Sequence, residues 1–388
     1  MTAKNPTSAG STTSRSGAPY SISIEAVREF KITTNQYDVT LGRSGGGTVS
    51  AVTKSGTNTF TGSAWEYLRT GWLSSKYDIR GNERVNDFST SQFGVLNIGR
   101  AKYGVGNTPQ FGSFDKVRNS DAGFLRLDWQ INPKNLLTLR NNFTYDFNKN
   151  GLADNTAINF FESYGNDKNL DNSLLLTLRS NLKSNLTNEL KAQYLYTYQN
   201  SYQNNQLGHA VPRAIVERVP STIDGKDLTT NIQIGGHRFG QESFRNNVFQ
   251  IVDNLYYNTD KIKYTAGIDL MYTKSKSIYG SEVNGRFQFL GIDNFNNLTP
   301  YRFYREVPLM DDPSVKSNIW NVGVYGQIQT KIAKGLDLMA GLRLDYGGYP
   351  KAELNQKLYD QMGIRTDNRI KSFVIQPRFH FDWNINEE

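Results

Sequence analysis

The sequence of 388 residues contains no cysteine and only three histidines, and these two shortages exclude several kinds of chemistry. Without cysteine there is no disulfide and no thiolate ligand for a metal. His209, His237 and His380 are far apart in sequence, so no zinc-binding pair such as H-E-x-x-H is formed. We find no catalytic constellation either. The sequence therefore predicts no metal site, no cofactor and no enzymatic activity.

Long apolar runs are also missing. No stretch of about 18 apolar residues occurs, so no transmembrane helix is predicted, and the first twenty residues lack the apolar centre of a signal peptide. The mean hydropathy is −0.58, yet aromatic residues make up 12% of the chain, which is unusual for a disordered protein. The net charge of +8 is scattered among acidic residues rather than clustered. We therefore expect no nucleic-acid partner.

What the sequence has instead is a period of two, repeated from about residue 123 onward. In the segment GFLRLDWQI, Leu125 and Leu127 share one face while Arg126 and Asp128 share the other. The short turn NPKN leads into a second alternating segment. Such pairs recur three more times, and a last alternating segment, SFVIQPRFHFDWNI, follows alone. This pattern predicts antiparallel strands joined by tight turns.

Strand length and the asymmetry of the connections favour a membrane protein. The predicted strands have roughly 9 to 12 residues, about the length that crosses a bilayer at a tilt. Short turns alternate with long polar connections at 148–172, 200–246, 274–317 and 347–371. This layout is typical of outer-membrane barrels. We therefore predict an all-β fold, an antiparallel transmembrane β-barrel, over a soluble β-sandwich, whose loops are less asymmetric.

A possible nucleophile motif lies near the N-terminus. The residues from Gly42 to Gly46 fit G-x-S-x-G, the pattern around the catalytic serine of many hydrolases. That motif requires a strand, a sharp turn and then a helix. Here the following residues, GGTVSAVTKSGTN, predict a turn into a strand. Ser44 is therefore interpreted as a loop residue.

The surrounding segment points to a family. SISIEAVREFKITTNQYDVTLGRSGGGTVSAVTKSGTNTFTGSAWEYLR resembles the end of the plug domain and the first barrel strand of TonB-dependent outer-membrane transporters, and more narrowly their Oar-like branch. Leu41 stands where that branch often has tyrosine, and Thr61 where it often has histidine. Later phrases, including SDAGFLRLDWQINPKNLLTLR and VYGQIQTKIAKGLDLMAGLRLDY, resemble its barrel strands in the expected order. The resemblance covers most of residues 20–388.

The resemblance implies a receptor and transporter in the cell outer membrane, with energy-coupled uptake of a ligand. It implies a disordered segment at 1–20, the C-terminal part of a plug domain at 21–58 and the N-terminal half of a barrel at 59–388. Family barrels have twenty-two strands, and we count about eleven or twelve here, including FSTSQFGVLNIG as the second. We therefore expect a fragment of a longer protein. The implied partners are outer-membrane lipid, an unidentified ligand, and TonB with its inner-membrane energising complex, through a TonB box absent from this chain.

The resemblance also gives the candidate site residues. A structural plug loop is expected, with its glycines at positive φ and packed closely under the barrel wall; its residues are Gly42, Arg43, Gly45, Gly46, Gly47 and Lys54. Barrel lumens are polar throughout, which favours packing over ligand recognition for any single lumen residue. The candidate lumen-facing polar residues are Arg126, Asp128, Arg140, Arg179, Lys263, Asp269, Arg343, Asp345, Arg378 and Asp382.

Two other classes of function stay open at this stage. A secreted, soluble β-rich protein that binds or cleaves carbohydrate would need two carboxylates converging in a cleft if it were a hydrolase. A passive surface barrel, such as an adhesin, would have no use for the plug-like segment. The ligand itself is not readable from the long loops, which are rich in Asn, Tyr and Gly.

Overall fold

The computed structural model describes residues 27–33, 37–42, 48–55, 90–107, 110, 117–153, 156–204, 211–223, 226–239, 241–307 and 312–383. The expected disordered segment at 1–20 and the first expected barrel strand, TFTGSAWEYLR, lie outside these residues. Within the described part of the chain, no helix has both the length and the apolar character needed to cross a membrane.

A nine-stranded antiparallel sheet, here called the main sheet, dominates the described residues. Neighbouring strands are hydrogen-bonded in the order β16-β15-β14-β11-β10-β7-β6-β4-β3. The strands have 13 to 19 residues and so continue beyond the apolar segments that the sequence predicted. They are β3 (Val117–Asn132), β4 (Asn135–Leu152), β6 (Gly165–Lys183), β7 (Leu186–Gln203), β10 (Gln241–Asn258), β11 (Ile262–Ile278), β14 (Val315–Ala333), β15 (Leu336–Gly348) and β16 (Lys371–Trp383).

The two faces of the main sheet differ as the alternation predicted. The apolar face carries Leu127 and Trp129 of β3, which are 54% and 63% exposed, and Trp383 of β16, which is 59% exposed. The polar face carries the intervening residues, among them Arg126 and Asp128. Directly paired residues lie on the same side of a sheet, so the strand register carries each face from one edge of the sheet to the other. Large exposed apolar residues across nine strands form the surface that a bilayer covers.

The main sheet is open, with β3 and β16 at its edges in the described part of the chain. An open edge leaves backbone N–H and C=O groups without ladder partners, which hydrocarbon does not tolerate. Nine of the eleven or twelve predicted strands are observed here. One expected strand is absent from the place assigned to it.

The segment FSTSQFGVLNIG, predicted as the second strand, is not a strand. Helix α1 (Thr90–Ile98) occupies it, followed by a π-helical turn at Gly99–Tyr103. Val95 and Leu96 are adjacent in sequence and both fully buried, which suits one side of a helix but not the alternating faces of a strand. Tertiary packing therefore decides the local structure.

Three of the four long connections, predicted as polar loops, form a second sheet that we call the loop sheet. Its order is β13-β12-β8-β9-β5, with parallel pairing of β8 to β12 and of β5 to β9. Helix α1 and a short helix α2 (Gly291–Asn296) contact it. The strands are β5 (Ile158–Asn159), β8 (Arg213–Ile223), β9 (Lys226–Gly235), β12 (Arg286–Leu290) and β13 (Arg302–Tyr304).

The loop sheet has its own apolar core. Each of its members is at most 9% exposed, and they come from three connections of the main sheet and from the segment that precedes β3. They are Val95, Leu96, Val105, Phe160, Val216, Val219, Ile232, Ile234, Phe289 and Phe295. A core of this kind fixes the connections relative to one another.

Two smaller elements complete the fold. Strands β1 (Val27–Thr33) and β2 (Thr48–Thr53) pair antiparallel near the N-terminus, as predicted for the strand after the glycine-rich loop. Helix α3 (Gln356–Met362) lies in the connection before β16. Its start is capped by Asn355, whose side chain accepts from the Leu358 N–H, and its end by Gly363 at φ 67°.

The assignment of the two faces can be tested on neighbouring residues of β14. Ile328 lies on the apolar face and Gln329 on the polar face. We expect Ile328→Arg to lower the free energy of unfolding in lipid vesicles by about 2 kcal/mol, because it places a charge in hydrocarbon. Gln329→Arg should change it by less than about 1 kcal/mol. Guanidinium titration measures both; equal losses would contradict the assignment.

Candidate functional site on the polar face of the main sheet

Residues Tyr37–Gly42 lie against the polar face over β14, β15 and β16, and we call them the docked segment. The sheet binds this segment largely through its backbone. The Val39 N–H donates to Gln327 Oε1 at 3.1 Å, and Arg343 Nη1 donates to the Val39 carbonyl at 3.2 Å. Arg378 Nη1 donates to the Leu41 carbonyl at 2.8 Å and also to the Asp38 carbonyl. The contacts therefore recognise the path of the backbone.

Arg343 is the centre of the site and is completely buried. Its Nε and Nη2 form a two-pronged salt bridge to Asp345, with both distances 2.8 Å. Nη2 also lies 3.0 Å from Asp269 Oδ2 on β11. Two carboxylates and a backbone carbonyl thus satisfy the guanidinium. A buried ion that is fully paired is tolerated, whereas removing one partner costs about 3–5 kcal/mol.

Both carboxylates are held by amide side chains. Gln250 Nε2 of β10 donates to Asp269 Oδ1 at 2.7 Å, and Gln376 Nε2 of β16 donates to Asp345 Oδ2 at 2.6 Å. The network therefore runs across the main sheet from β10 to β16 and ends in the docked segment. Such second partners fix the orientation of the groups that contact the segment.

Glycines provide the space for this network. Asp269 and Asp345 both pair with Gly323 of β14, one from each side. Arg343 reaches Asp269 by lying over Gly323, where a Cβ atom would overlap Nη2 and stand 2.7 Å from Asp345 Oδ1. In the same way, Val39 sits on Gly341 of β15, whose Cβ would lie 2.5 Å from Val39 Cγ1.

Gly42 allows a close approach from the other side. A Cβ atom there would overlap the guanidinium carbon of Arg343, so the docked segment needs glycine at this position for contact with the sheet. Gly42 does not have the positive φ that we expected. Steric space, rather than backbone conformation, therefore explains this glycine.

A stacked pair and a tyrosine complete the surroundings of the segment. The Tyr37 and His380 rings stack with centroids 4.9 Å apart. The Tyr325 ring lies 4.9 Å from the Arg343 guanidinium carbon and reaches Asn254 on β10, with its hydroxyl 2.6 Å from Oδ1. Tyr325 passes over Gly267 of β11, where a Cβ would lie 2.7 Å from Cε2. This repeats the arrangement of Arg343 over a glycine.

A second contact lies at the other side of the main sheet. Arg126 of β3 donates through Nη1 to the Thr53 carbonyl at 3.3 Å and to the Thr53 hydroxyl at 3.2 Å, while its Nε lies 2.8 Å from Asp128 Oδ2. Seven strand spacings of about 4.8 Å separate β15 from β3 in the sheet. The described residues on either side of 43–47 therefore contact the polar face at two places, one at Arg343 and one at Arg126.

The register places all ten candidate polar residues on the polar face, but only some of them meet. Arg343, Asp345, Asp269 and Arg378 converge on the docked segment, and Arg126 with Asp128 on Thr53. Arg140 pairs with Arg126 across the strands and Arg179 with Glu189. Lys263, Arg179 and Asp382 are exposed near the turns. Lys54 follows β2; Arg43, Gly45, Gly46 and Gly47 lie outside the described residues.

The sequence did not single out Gln327, Gln250 or the glycines of the polar face. A signal for the glycines existed, because Gly267, Gly323 and Gly341 all fall on polar positions of the alternation. The charged groups of the site are paired with one another and with backbone carbonyls, an arrangement that binds a segment of chain. In the described part of the chain, no three His, Asp or Glu side chains group in a way that could hold a metal.

The loop sheet contains a cavity of about 400 Å³. Its walls are mainly apolar and aromatic, with Tyr103, Phe287, Phe289 and Phe295 among the lining residues. Arg213 also lines it, buried and salt-bridged to Glu282, with Nε 2.8 Å from Oε2. The volume is in the range of small-molecule sites.

A buried carboxylate joins the elements around this core. Glu162 accepts from the Gly106 N–H at 2.8 Å and from the Gly235 N–H at 3.0 Å. Burial raises the pKa of the Glu162 carboxyl, and the two N–H donors oppose this only in part. The connections that carry Gly106, Glu162 and Gly235 are therefore fastened by a group sensitive to pH.

The space above Gly323 gives a first prediction. Gly323→Ala forces Arg343 away from Asp269, so we expect the free energy of unfolding to fall by about 3 kcal/mol. Gly326→Ala is a matched control on the same strand, because its Cβ meets nothing nearer than the Thr265 carbonyl at 4.0 Å. It should cost at most a few tenths of a kcal/mol. Denaturant titration of both variants decides; similar losses would refute the role of Gly323.

The pKa of Glu162 gives a second prediction. Because the folded pKa is raised, the folded state binds more protons than the unfolded state between the ordinary carboxyl pKa and the raised one. This group's contribution to stability should therefore decrease as pH rises through that window. Glu162→Gln should reduce the dependence of the urea unfolding midpoint on pH between pH 4 and 8. Glu353→Gln, on an exposed connection, should leave that dependence unchanged. An unchanged slope in Glu162→Gln would contradict this.

Comparison with known proteins finds weak similarity to several solved structures. The copper transporter OprC shares 13% identity over 71% of this chain and 36% of its own, with a TM-score of 0.41. The corresponding values are 12%, 69%, 29% and 0.42 for the outer membrane transporter YddB from Escherichia coli, and 11%, 70%, 35% and 0.44 for the FrpB iron transporter (F3-3 variant) from Neisseria meningitidis.

These similarities are weak, and the chain spans about a third of the length of each transporter. No curated protein matches the sequence. The family is shown by residues 96–368, well over half of the chain, which match the outer membrane beta barrel domain. A soluble secreted protein is thereby set aside. The protein is a member of the outer membrane beta barrel domain family and belongs to the outer membrane.

Proposed function

We propose that the chain is part of a TonB-dependent receptor that transports a ligand across the outer membrane, and that it performs no catalysis. In this proposal residues 21–58 are the end of the plug and residues 59–388 are the first half of the barrel. The polar face is then the lumen, and the ten polar residues line it. TonB with its energising complex supplies the work.

One observation carries the proposal: residues from the N-terminal part of the chain are bound to the polar face at two separate places. Arg343 and Arg378 hold the docked segment, and Arg126 holds Thr53. A passive barrel needs no such segment. The resemblance of residues 21–58 to the Oar-like branch of the family gives the same assignment from sequence.

The strength of the interaction between the docked segment and the main sheet suits a segment that has to be released. Four hydrogen bonds join the docked segment to Gln327, Arg343 and Arg378. At about 1–1.5 kcal/mol each, they sum to roughly 5 kcal/mol. Such a hold keeps the segment in place at rest, yet it is small enough to be broken by force without unfolding the barrel.

The loop sheet is the proposed place of ligand recognition. It gathers three long connections and the segment before β3 around one core and contains the aromatic cavity. In the outer-membrane layout the long connections lie outside the cell, where a ligand first meets the protein. The identity of the ligand is left open by this assignment.

A labelling experiment tests the release of the docked segment. The chain contains no cysteine, so Thr40→Cys in the full-length protein is a single probe once any other cysteines are replaced. We expect a small maleimide to label it slowly in host cells treated with an uncoupler and at least tenfold faster in energised cells. Glu353→Cys, on an exposed connection, should react equally in both.

A further variant separates the binding of the docked segment from its energy-dependent release. Arg343→Met should make Thr40→Cys react rapidly with or without energy, because the segment is no longer held. If Thr40→Cys reacts at the same rate in energised and uncoupled cells, the transport proposal fails and a static barrel is favoured.

A further inference from the structure

Three basic residues lie in direct register on the apolar face of the main sheet, and we call them the basic row. Arg245 of β10 pairs with Lys276 of β11, and Lys276 pairs with Lys316 of β14. They share the apolar face with Phe249 and Trp320, because Arg245 and Phe249 are four positions apart on β10, and Lys316 and Trp320 are four positions apart on β14. All three basic residues are exposed.

This arrangement is unfavourable without an anion. Paired residues on neighbouring strands have Cβ atoms about 5 Å apart, and like charges at such positions repel. The row thus places three positive charges within about 10 Å. Lys316 has Asp312 at 2.8 Å, but this pair is more than half exposed and therefore weak. Arg245 lies 5.3 Å from the centre of the Tyr198 ring, which does not neutralise its charge.

The height of the row matches a membrane boundary. Asn258, the last residue of β10 before the turn, is thirteen positions after Arg245. At about 3.3 Å per residue this is about 43 Å along the strand, or about 30 Å along the membrane normal at a tilt of about 45°. That is about the thickness of the hydrocarbon core. The row therefore lies at the level of lipid headgroups, on the side of the long connections.

Other basic residues continue this level around the same face. Lys168 of β6 lies 5.5 Å from the centre of the Phe147 ring and 5.4 Å from that of Tyr202. At this level the described strands add one acid to the apolar face, Asp121 of β3, near the opposite edge of the sheet. The remaining basic residues at this level are Lys149 of β4, Lys274 of β11 and Lys371 of β16.

We propose that the basic row binds the phosphate groups of anionic lipid headgroups in the leaflet next to the long connections. A phosphate has several acceptor oxygens, which suit a guanidinium and two ammonium groups side by side. The acyl chains of the bound lipid would extend over the apolar face beside Phe249 and Trp320. This site is separate from the polar face and does not depend on the transport proposal.

Lipid titration of the intact protein in a non-ionic detergent tests the site. Native mass spectrometry would count bound dioctanoyl phosphatidic acid against dioctanoyl phosphatidylcholine. Each basic residue near an anionic surface contributes about fivefold in affinity. We therefore expect the triple variant R245Q/K276Q/K316Q to bind phosphatidic acid about a hundredfold more weakly. Lys261→Gln, in the turn at the other end of β10, is the matched control and should bind as the native protein does.

The outcomes separate a lipid site from its alternatives. Heat-modifiable migration on gels confirms that each variant is folded. If the triple variant does not fold, Lys276→Gln alone replaces it, with an expected loss of about fivefold in affinity for phosphatidic acid. Unchanged binding in the folded variants would overturn the proposal. So would equal loss in Lys261→Gln, or displacement of phosphatidic acid by equimolar inorganic phosphate, which would indicate a simple ion site. Equal binding of phosphatidylcholine would also refute it.

Discussion

The polar face of the main sheet depends on long side chains that lie flat across glycines. Arg343 passes over Gly323 to reach Asp269, and Tyr325 passes over Gly267 to reach Asn254. Each of these contacts skips one strand, so it joins strands that share no ladder. Without a glycine in the middle strand the side chain would have to stand up into the space where the docked segment lies.

This constraint explains how a polar surface can hold a segment of chain. Because the guanidinium of Arg343 is fixed by Asp345 and Asp269, its remaining N–H is aimed at the Val39 carbonyl before the segment arrives. Little side-chain entropy is lost on binding, since the ions are already ordered by their partners. The docked segment needs only a backbone of the right path and a glycine at position 42.

Periodicity predicted the main sheet well because it depends on local sequence. Nine strands and both of their faces follow from alternation alone. The loop sheet could not be found in this way, because β9 shows only the short alternation of Ile232 and Ile234, and β8 is interrupted by a bulge between Val216 and Val219. Its core gathers residues from three connections and from the segment before β3, so their burial depends on contacts distant in sequence. The error at α1 has the same origin.

For the candidate site, the sequence predicted on which face of the sheet each residue lies but not which residues it contacts. Alternation places Arg343 and Arg378 on the polar side, yet the carbonyl that Arg378 binds at Asp38 is 340 residues away in the chain. The two faces also treat charge differently. On the polar face, Arg343 is surrounded by carboxylates from its own sheet, so its charge is satisfied internally. On the apolar face, Arg245 and Lys276 meet each other directly in register. Carboxylates of the sheet itself therefore satisfy the buried cation on the polar face, whereas the exposed cations on the apolar face have to be satisfied from outside the sheet, and this is the role that we propose for lipid headgroups.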